Sequence, residues 1–96
     1  MRIDRVTGLL HAARQAPSPN SDDRPAGAAV ELIVIHGISL PPGEFGGLWI
    51  DALFANTLDP AAHPYFQAIA GLRVSAHLLI RRDGEVVQYV PLHRRA

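Results

Sequence analysis

A chain of 96 residues holds at most one domain and buries only a little more than about 60% of its unfolded surface, so its core is small. With 48% hydrophobic and 19% charged residues, the composition is globular rather than disordered. Nine basic residues, all arginine, balance nine acidic ones, and cysteine is absent, which excludes a basic field for nucleic acid, disulfides and thiolate metal sites.

No apolar run approaches the roughly 18 residues of a membrane span. The N-terminus "MRIDRVTGLL" is broken by charges and lacks the apolar core of a signal peptide. The expectation is a soluble cytoplasmic protein with no membrane partner. Any metal must be held by His, Asp or Glu.

Val6, Leu9, Leu10 and Ala13 fall at helical spacing and predict a short first helix, with Asp4 placed to cap it. Gly8 weakens that helix by about 1 kcal/mol relative to alanine. Residues 16–27, "APSPNSDDRPAG", carry three prolines and a polar cluster and predict an extended surface loop.

Residues 30–36, "VELIVIH", make the best strand. Four consecutive aliphatic residues, 32–35, leave no polar face, which predicts a central strand covered on both sides. "SLPPGEFGG" (39–47) is a loop, with φ fixed at Pro41 and Pro42 and free at Gly43. "LWIDALFANTL" (48–58) is helical, with Ile50, Leu53, Phe54 and Leu58 as its apolar stripe and Asp51 and Asn56 off it. "DPAAHPYFQAIAG" (59–71) predicts a turn and a short helix ending at Gly71.

Residues 73–91 predict a hairpin turning at Asp83-Gly84 through a tight type I′ turn. Val74, Ala76, Leu78 and Ile80 share one face of its first strand; Ser75, His77, Leu79 and Arg81 share the other. The fold class this implies is α/β, a mixed central sheet with flanking helices.

His36 is the leading candidate for chemistry. A strand end is rigid and a loop admits substrate, so a histidine between them suits a metal ligand or a catalytic base. Pattern alone favours a plainer alternative, a half-buried histidine bonded to a backbone carbonyl. His77 offers a second ligand, a supporting partner or a structural residue, the last being favoured. His11, His63 and His93 read as solvated. Ser39 and Ser75 lack a nucleophile elbow. Glu44, Asp51, Asp83 and Glu85 form no evident acid/base pair, and the turn explains Asp83. Gly43, Gly46 and Gly47 precede a helix without the Lys-Ser/Thr of a phosphate loop.

Taken in order, "VIHGISLPPGEFGG.WIDALF", "DPAAHPYF" and "LRVSAHLLIRRDGEVVQYVP" resemble the AmpD family of 1,6-anhydro-N-acetylmuramyl-L-alanine amidases, within the wider zinc amidase and peptidoglycan-recognition superfamily. The likeness runs from the first helix to Ala96. The "SLPPGEFGG" loop is specific to the family, whereas the hairpin is shared more loosely with other zinc amidases.

The resemblance implies a cytoplasmic enzyme of cell-wall recycling that hydrolyses the lactyl–L-Ala amide of anhydromuropeptides and so lowers a signal for β-lactamase induction. It implies Zn2+, with His36 matching the family's first zinc ligand. Arg73 matches an arginine on the substrate side of the cleft. Gly37 stands where asparagine is common, which removes a side-chain amide that could contact substrate.

A catalytic zinc takes three protein ligands and keeps one position open for water. By the family pattern the second histidine, the aspartate ligand, the catalytic glutamate and a lysine all come from a later portion, opening on a Trp-His segment. The expectation is therefore that residues 1–96 are the N-terminal part of a single amidase domain, C-terminally truncated, with one zinc ligand and no catalytic residue. A truncated gene, a frameshift product or an incomplete gene model would each account for it. An inactive, poorly stable fragment is the first reading. A non-catalytic muropeptide-binding module is the alternative. Self-association, with a zinc site rebuilt from His36 of two chains or from His36 and His77, is a third.

Overall fold

The computed structural model describes residues 2–30, 32–44 and 46–96; Met1, Glu31 and Phe45 lie outside the described residues. The order of elements is β1 (Arg14–Gln15), β2 (Asp22–Asp23), α1 (Trp49–Phe54), α2 (Phe66–Ile69), β3 (Leu78–Ile80), β4 (Val86–Gln88) and β5 (Arg94–Arg95). The mixed sheet is present in the order β1-β4-β3, with β1 parallel and β3 antiparallel to β4. β2 and β5 form a separate antiparallel pair.

The hairpin β3–β4 is in register Leu79↔Val87. Its turn is not the two-residue type I′ predicted. The Gly84 N–H donates to the Arg81 carbonyl at 3.0 Å, and the Arg81 N–H donates to the Glu85 carbonyl at 2.8 Å. With Gly84 at φ +91°, this is a three-residue loop whose last position is left-handed. Asp83 Oδ1 accepts the Glu85 N–H at 2.9 Å, so the turn does explain Asp83.

The predicted alternation of faces does not run through the strand. The chain bends at His77, so Ala76 and Leu79 both pack on the core while Leu78 and Ile80 are exposed.

α1 is the part of 48–58 that is helical. It closes with Asn56 at φ +62°. The Thr57 N–H reaches the Ala52 carbonyl and the Asn56 N–H reaches that of Leu53, the paired bonds of a Schellman end. The expected stripe faces inward: Leu53, Phe54 and Leu58 are buried and Ile50 packs beside them. α2 is shorter than predicted and ends at Ala70 through right-handed backbone, not at a left-handed Gly71.

The core joins Leu40, Leu53, Phe54, Leu58, Phe66, Val87, Tyr89 and Val90. Phe54 meets Tyr89 edge-on, with ring centres 4.8 Å apart and an 88° angle, a favoured aromatic geometry.

Two predicted elements differ more deeply. The first helix does not form. Asp4 Oδ1 accepts the Val6 and Thr7 N–H groups as an N-cap would. Only one turn follows, because Gly8 is left-handed at φ +72° and Ala12 at φ +66°. The segment folds back instead, with a bridge between Ile3 and Leu10.

The predicted central strand at 30–36 is also not a strand. Its described residues join no ladder, and the strand at the centre of the sheet is β4. Leu32, Ile33, Val34 and Ile35 are 77%, 82%, 73% and 89% exposed. Strand propensity writes a strand only where a neighbour is present to pair.

Candidate functional site

His36 follows this bare segment directly and is itself exposed, so the buried strand end expected for it is corrected. Its Nδ1 lies 3.2 Å from the Gly37 carbonyl oxygen. A carbonyl only accepts, so in this contact Nδ1 is the donor, and in the neutral ring that leaves Nε2 as the acceptor. A neutral imidazole ligates a metal through whichever ring nitrogen is not so engaged. Gly37 is exposed, and a Cβ built on it meets no atom within 4 Å. The loop behind it is pinned by a bond from the Gly43 N–H to Ser39 Oγ at 2.8 Å and a turn between Leu40 and Glu44.

Arg73 lies exposed on the stretch before β3. Among the described residues no hydrogen bond or ion pair joins Arg73 to His36 or Gly37. The other histidines are engaged elsewhere. His77 Nε2 donates to the Arg94 carbonyl at 2.7 Å, which ties β5 to the hairpin and makes His77 structural here. His93 Nε2 donates to the Arg5 carbonyl at 2.8 Å. His63 Nδ1 accepts the Tyr65 N–H at 3.1 Å and its ring leans on Phe66, so it is half-buried rather than fully solvated. His11 is exposed as expected.

The zinc implied by the resemblance needs three donors. Among the described residues no group of three or more His, Asp or Glu side chains stands close enough to hold a metal ion. One exposed imidazole does not fit the group, and no catalytic step is derived through it. Among the described residues the surface carries hollows, of which two lie near α1. One, near 40 Å3, is lined by Ile38, Glu44, Ile50, Leu79 and Arg81 among others; the second lies between residues 16–17 and α1. Neither is lined by His36, Gly37 or Arg73.

Sequence reasoning missed a polar network centred on Asp51. Asp51, placed off the apolar stripe, accepts the Tyr89 hydroxyl at 2.6 Å and the Arg14 Nη1 at 2.8 Å. Its side chain is only 16% exposed. Burial first, and the bond to Asp51 second, push the Tyr89 hydroxyl well above its ordinary pKa. The same carboxylate holds the Arg14 guanidinium above its usual value. The network ties β1, α1 and the residue after β4 together. No local pattern flags it, because its members are 37 and 38 positions apart.

The family described as N-acetylmuramoyl-L-alanine amidase, Amidase_2, matches residues 26–96. The 1,6-anhydro-N-acetylmuramyl-L-alanine amidase AmpD of Citrobacter freundii is 66% identical over 89 residues, covering 93% of this chain and 48% of its own length. AmpD of Escherichia coli K12 is 65% identical over 89 residues, covering 93% of this chain and 49% of its own. AmpD of Haemophilus influenzae is 52% identical over 93 residues, with 97% and 50% covered.

A crystal structure of a selenomethionine AmpD derivative superposes with a TM-score of 0.94 at 64% identity, over all of this chain and 52% of that one. The solution structure of Citrobacter freundii AmpD, also 64% identical, superposes at 0.58 over all of this chain and 50% of that one. Equal identity with unequal superposition means that the backbone here follows the crystal form. The chain spans about half the length of the curated relatives it matches. On the match over residues 26–96, this chain belongs to the N-acetylmuramoyl-L-alanine amidase family, Amidase_2.

Proposed function

We propose that this chain is the N-terminal part of a cytoplasmic zinc amidase that hydrolyses the lactyl–L-Ala amide of 1,6-anhydromuropeptides in cell-wall recycling, and that it is inactive by itself. The carrying observation is the 66% identity with Citrobacter freundii AmpD across 93% of the chain. In the whole enzyme His36, an exposed imidazole here, would be the first of three zinc ligands, while Arg73 and Gly37 belong to the substrate side. Amide hydrolysis needs a polarised carbonyl, an activated water and a proton for the leaving amine. The described residues bring one metal donor to that task, which supports inactivity of the isolated chain.

Equilibrium dialysis of zinc against the 96-residue chain and its His36→Ala variant tests the second half of the proposal. Neither should hold stoichiometric zinc, and neither should release peptide from an anhydromuropeptide. Stoichiometric zinc lost in the variant, or turnover by the parent, would overturn inactivity. The amidase reading is tested by joining Ala96 to the remaining part of the Citrobacter freundii relative. The joined chain should release peptide, and His36→Ala should abolish that release. Undiminished activity in the variant would remove His36 from the site. Calorimetric binding of muropeptide without turnover would instead mark a binding module.

A further inference from the structure

We infer that Arg81 is a positioning residue for the loop that leaves His36: its guanidinium ties the far end of that loop to the hairpin and so fixes where the loop stands on the substrate side. The inference rests on the amidase reading above. The loop runs from Gly37 to Gly47. Its middle holds itself, through the Gly43 N–H on Ser39 Oγ and the turn between Leu40 and Glu44, and Leu40 is buried in the core. Its far end has no such means. Among the described residues neither Gly46 nor Gly47 makes a backbone–backbone hydrogen bond, and a Cβ built on Gly46 meets no atom within 4 Å. The Gly47 carbonyl instead accepts Arg81 Nη2 at 2.5 Å, across 34 positions of sequence.

Arg81 is held in turn. Its N–H donates to the Glu85 carbonyl and its carbonyl accepts the Gly84 N–H, so the turn fixes the backbone from which the side chain springs. Nε lies 3.9 Å from Glu85 Oε1, and the same oxygen accepts Arg14 Nη2 at 3.4 Å, while Arg14 Nη1 reaches Asp51. The line from Gly47 through Arg81, Glu85 and Arg14 thus returns to α1, which begins just after the loop ends. The Arg81 side chain is only 13% exposed, so little water competes for the carbonyl. A planar fork serves Gly47 and Glu85 together, which a lysine ammonium does not. Among the described residues Arg81 Nη1 is buried without a partner. An unsatisfied donor costs stability, so general stabilisation accounts poorly for this guanidinium. Without the tether the loop would have to be ordered when substrate binds, which raises KM and spares kcat.

The test compares Arg81→Met, Arg81→Lys and Gln88→Leu with the parent by two readouts. The first is backbone order from nitrogen relaxation at Gly46 and Gly47, in the 96-residue chain and in the chain joined through Ala96. The parent should lie near the rigid value of about 0.85 and Arg81→Met below about 0.6, with the Val86–Gln88 amides unchanged. The second is release of peptide from an anhydromuropeptide by the joined chain. Arg81→Met should raise KM roughly 5- to 10-fold and keep kcat within about 2-fold. Arg81→Lys keeps the charge without the fork and should fall between the two in both readouts. Gln88→Leu, whose lost bonds go to Gly8, Leu10, Gln15 and Val90, should lower stability and leave KM unmoved.

Gly46 and Gly47 as rigid in Arg81→Met as in the parent overturn the proposal. So does an equal rise in KM in Gln88→Leu, which would make the effect one of general stability. A fall in kcat with KM unmoved would overturn it too, by placing Arg81 in the chemical step. A joined parent without turnover would sink the amidase reading and leave backbone order to decide the tether, so the two failures are distinct.

Discussion

The side-chain Oε1 of Gln88 accepts the Leu10 N–H at 2.8 Å, across 78 positions of sequence. The same amide donates through Nε2 to the Gly8 carbonyl at 3.0 Å and to the Val90 carbonyl at 3.1 Å, and Oε1 also accepts from Gln15 at 3.0 Å. Gln88 is 1% exposed and uses both of its polar atoms. It stands in for a missing strand neighbour, holding the N-terminal segment to β4 where no ladder continues.

Gln88→Leu should therefore cost more than its change in volume suggests. The substitution leaves the buried Leu10 N–H without its acceptor and takes from the Gly8 carbonyl one of two donors, the Leu92 N–H at 3.0 Å remaining. The expected loss is about 2–3 kcal/mol, as a lowered urea midpoint with an unchanged slope. A loss under about 0.5 kcal/mol would mean that water replaces the amide.

Tyr89 makes stability sensitive to alkali. Its folded pKa is raised above the unfolded value by burial and by the bond to Asp51. A group raised in the folded state adds stability that is fully present below the unfolded pKa, near 10, and is lost as pH rises through the folded one. The urea midpoint should thus fall above about pH 10. Tyr89→Phe should start lower at neutral pH and show a shallower alkaline decline. Tyrosinate absorbance of the parent minus that of the variant reports the ionisation directly.

Gly8 and Gly37 should respond in opposite ways to a side chain. A Cβ on Gly8 would stand 2.9 Å from His93 Cδ2 and 3.0 Å from the Leu92 N, at φ +72°. Gly8→Ala is expected to cost at least about 1–2 kcal/mol from the left-handed backbone alone. Gly37→Asn meets open space and a backbone outside the left-handed region. It should change the thermal midpoint by no more than a surface substitution does, within about 0.5 kcal/mol.

Acid should weaken the two outer tethers. The Asp4 carboxyl is held below its ordinary value by the Thr7 and Val6 N–H groups, and Asp22 by its paired bonds to Arg95. A depressed carboxyl adds stability present above the unfolded pKa and lost as pH falls through the folded value. Asp4→Asn keeps a capping oxygen but removes its share of the acid decline. Asp22→Asn should also speed amide exchange at Arg94–Arg95, and added salt should shrink its effect, since the pair is exposed.

Local chemistry was readable wherever it was sufficient. The stripe Leu53, Phe54 and Leu58 faces the core because helix geometry alone puts those positions on one side. The hairpin turns at Asp83 and Gly84 because a short polar side chain and a free backbone suffice there. The family likeness rests on the same kind of local string, and His36 keeps its place beside a Pro/Gly loop.

The rest depends on distant partners. β1 lies parallel to β4 at Arg14↔Val87, and no periodicity near residue 14 announces it. The helix expected at 6–13 yields to a Gln88 amide and to close backbone contact between Gly8 and Leu92. Asp51, read as lying off the apolar stripe and in no evident acid/base pair, becomes the junction of Arg14 and Tyr89. The run at 32–35 shows the division most plainly. Its residues alone dictate an extended, apolar stretch that wants cover on both faces. Whether it becomes a strand is a matter of which chain lies beside it, because a ladder is a bond between two segments and only one of them is written in those residues.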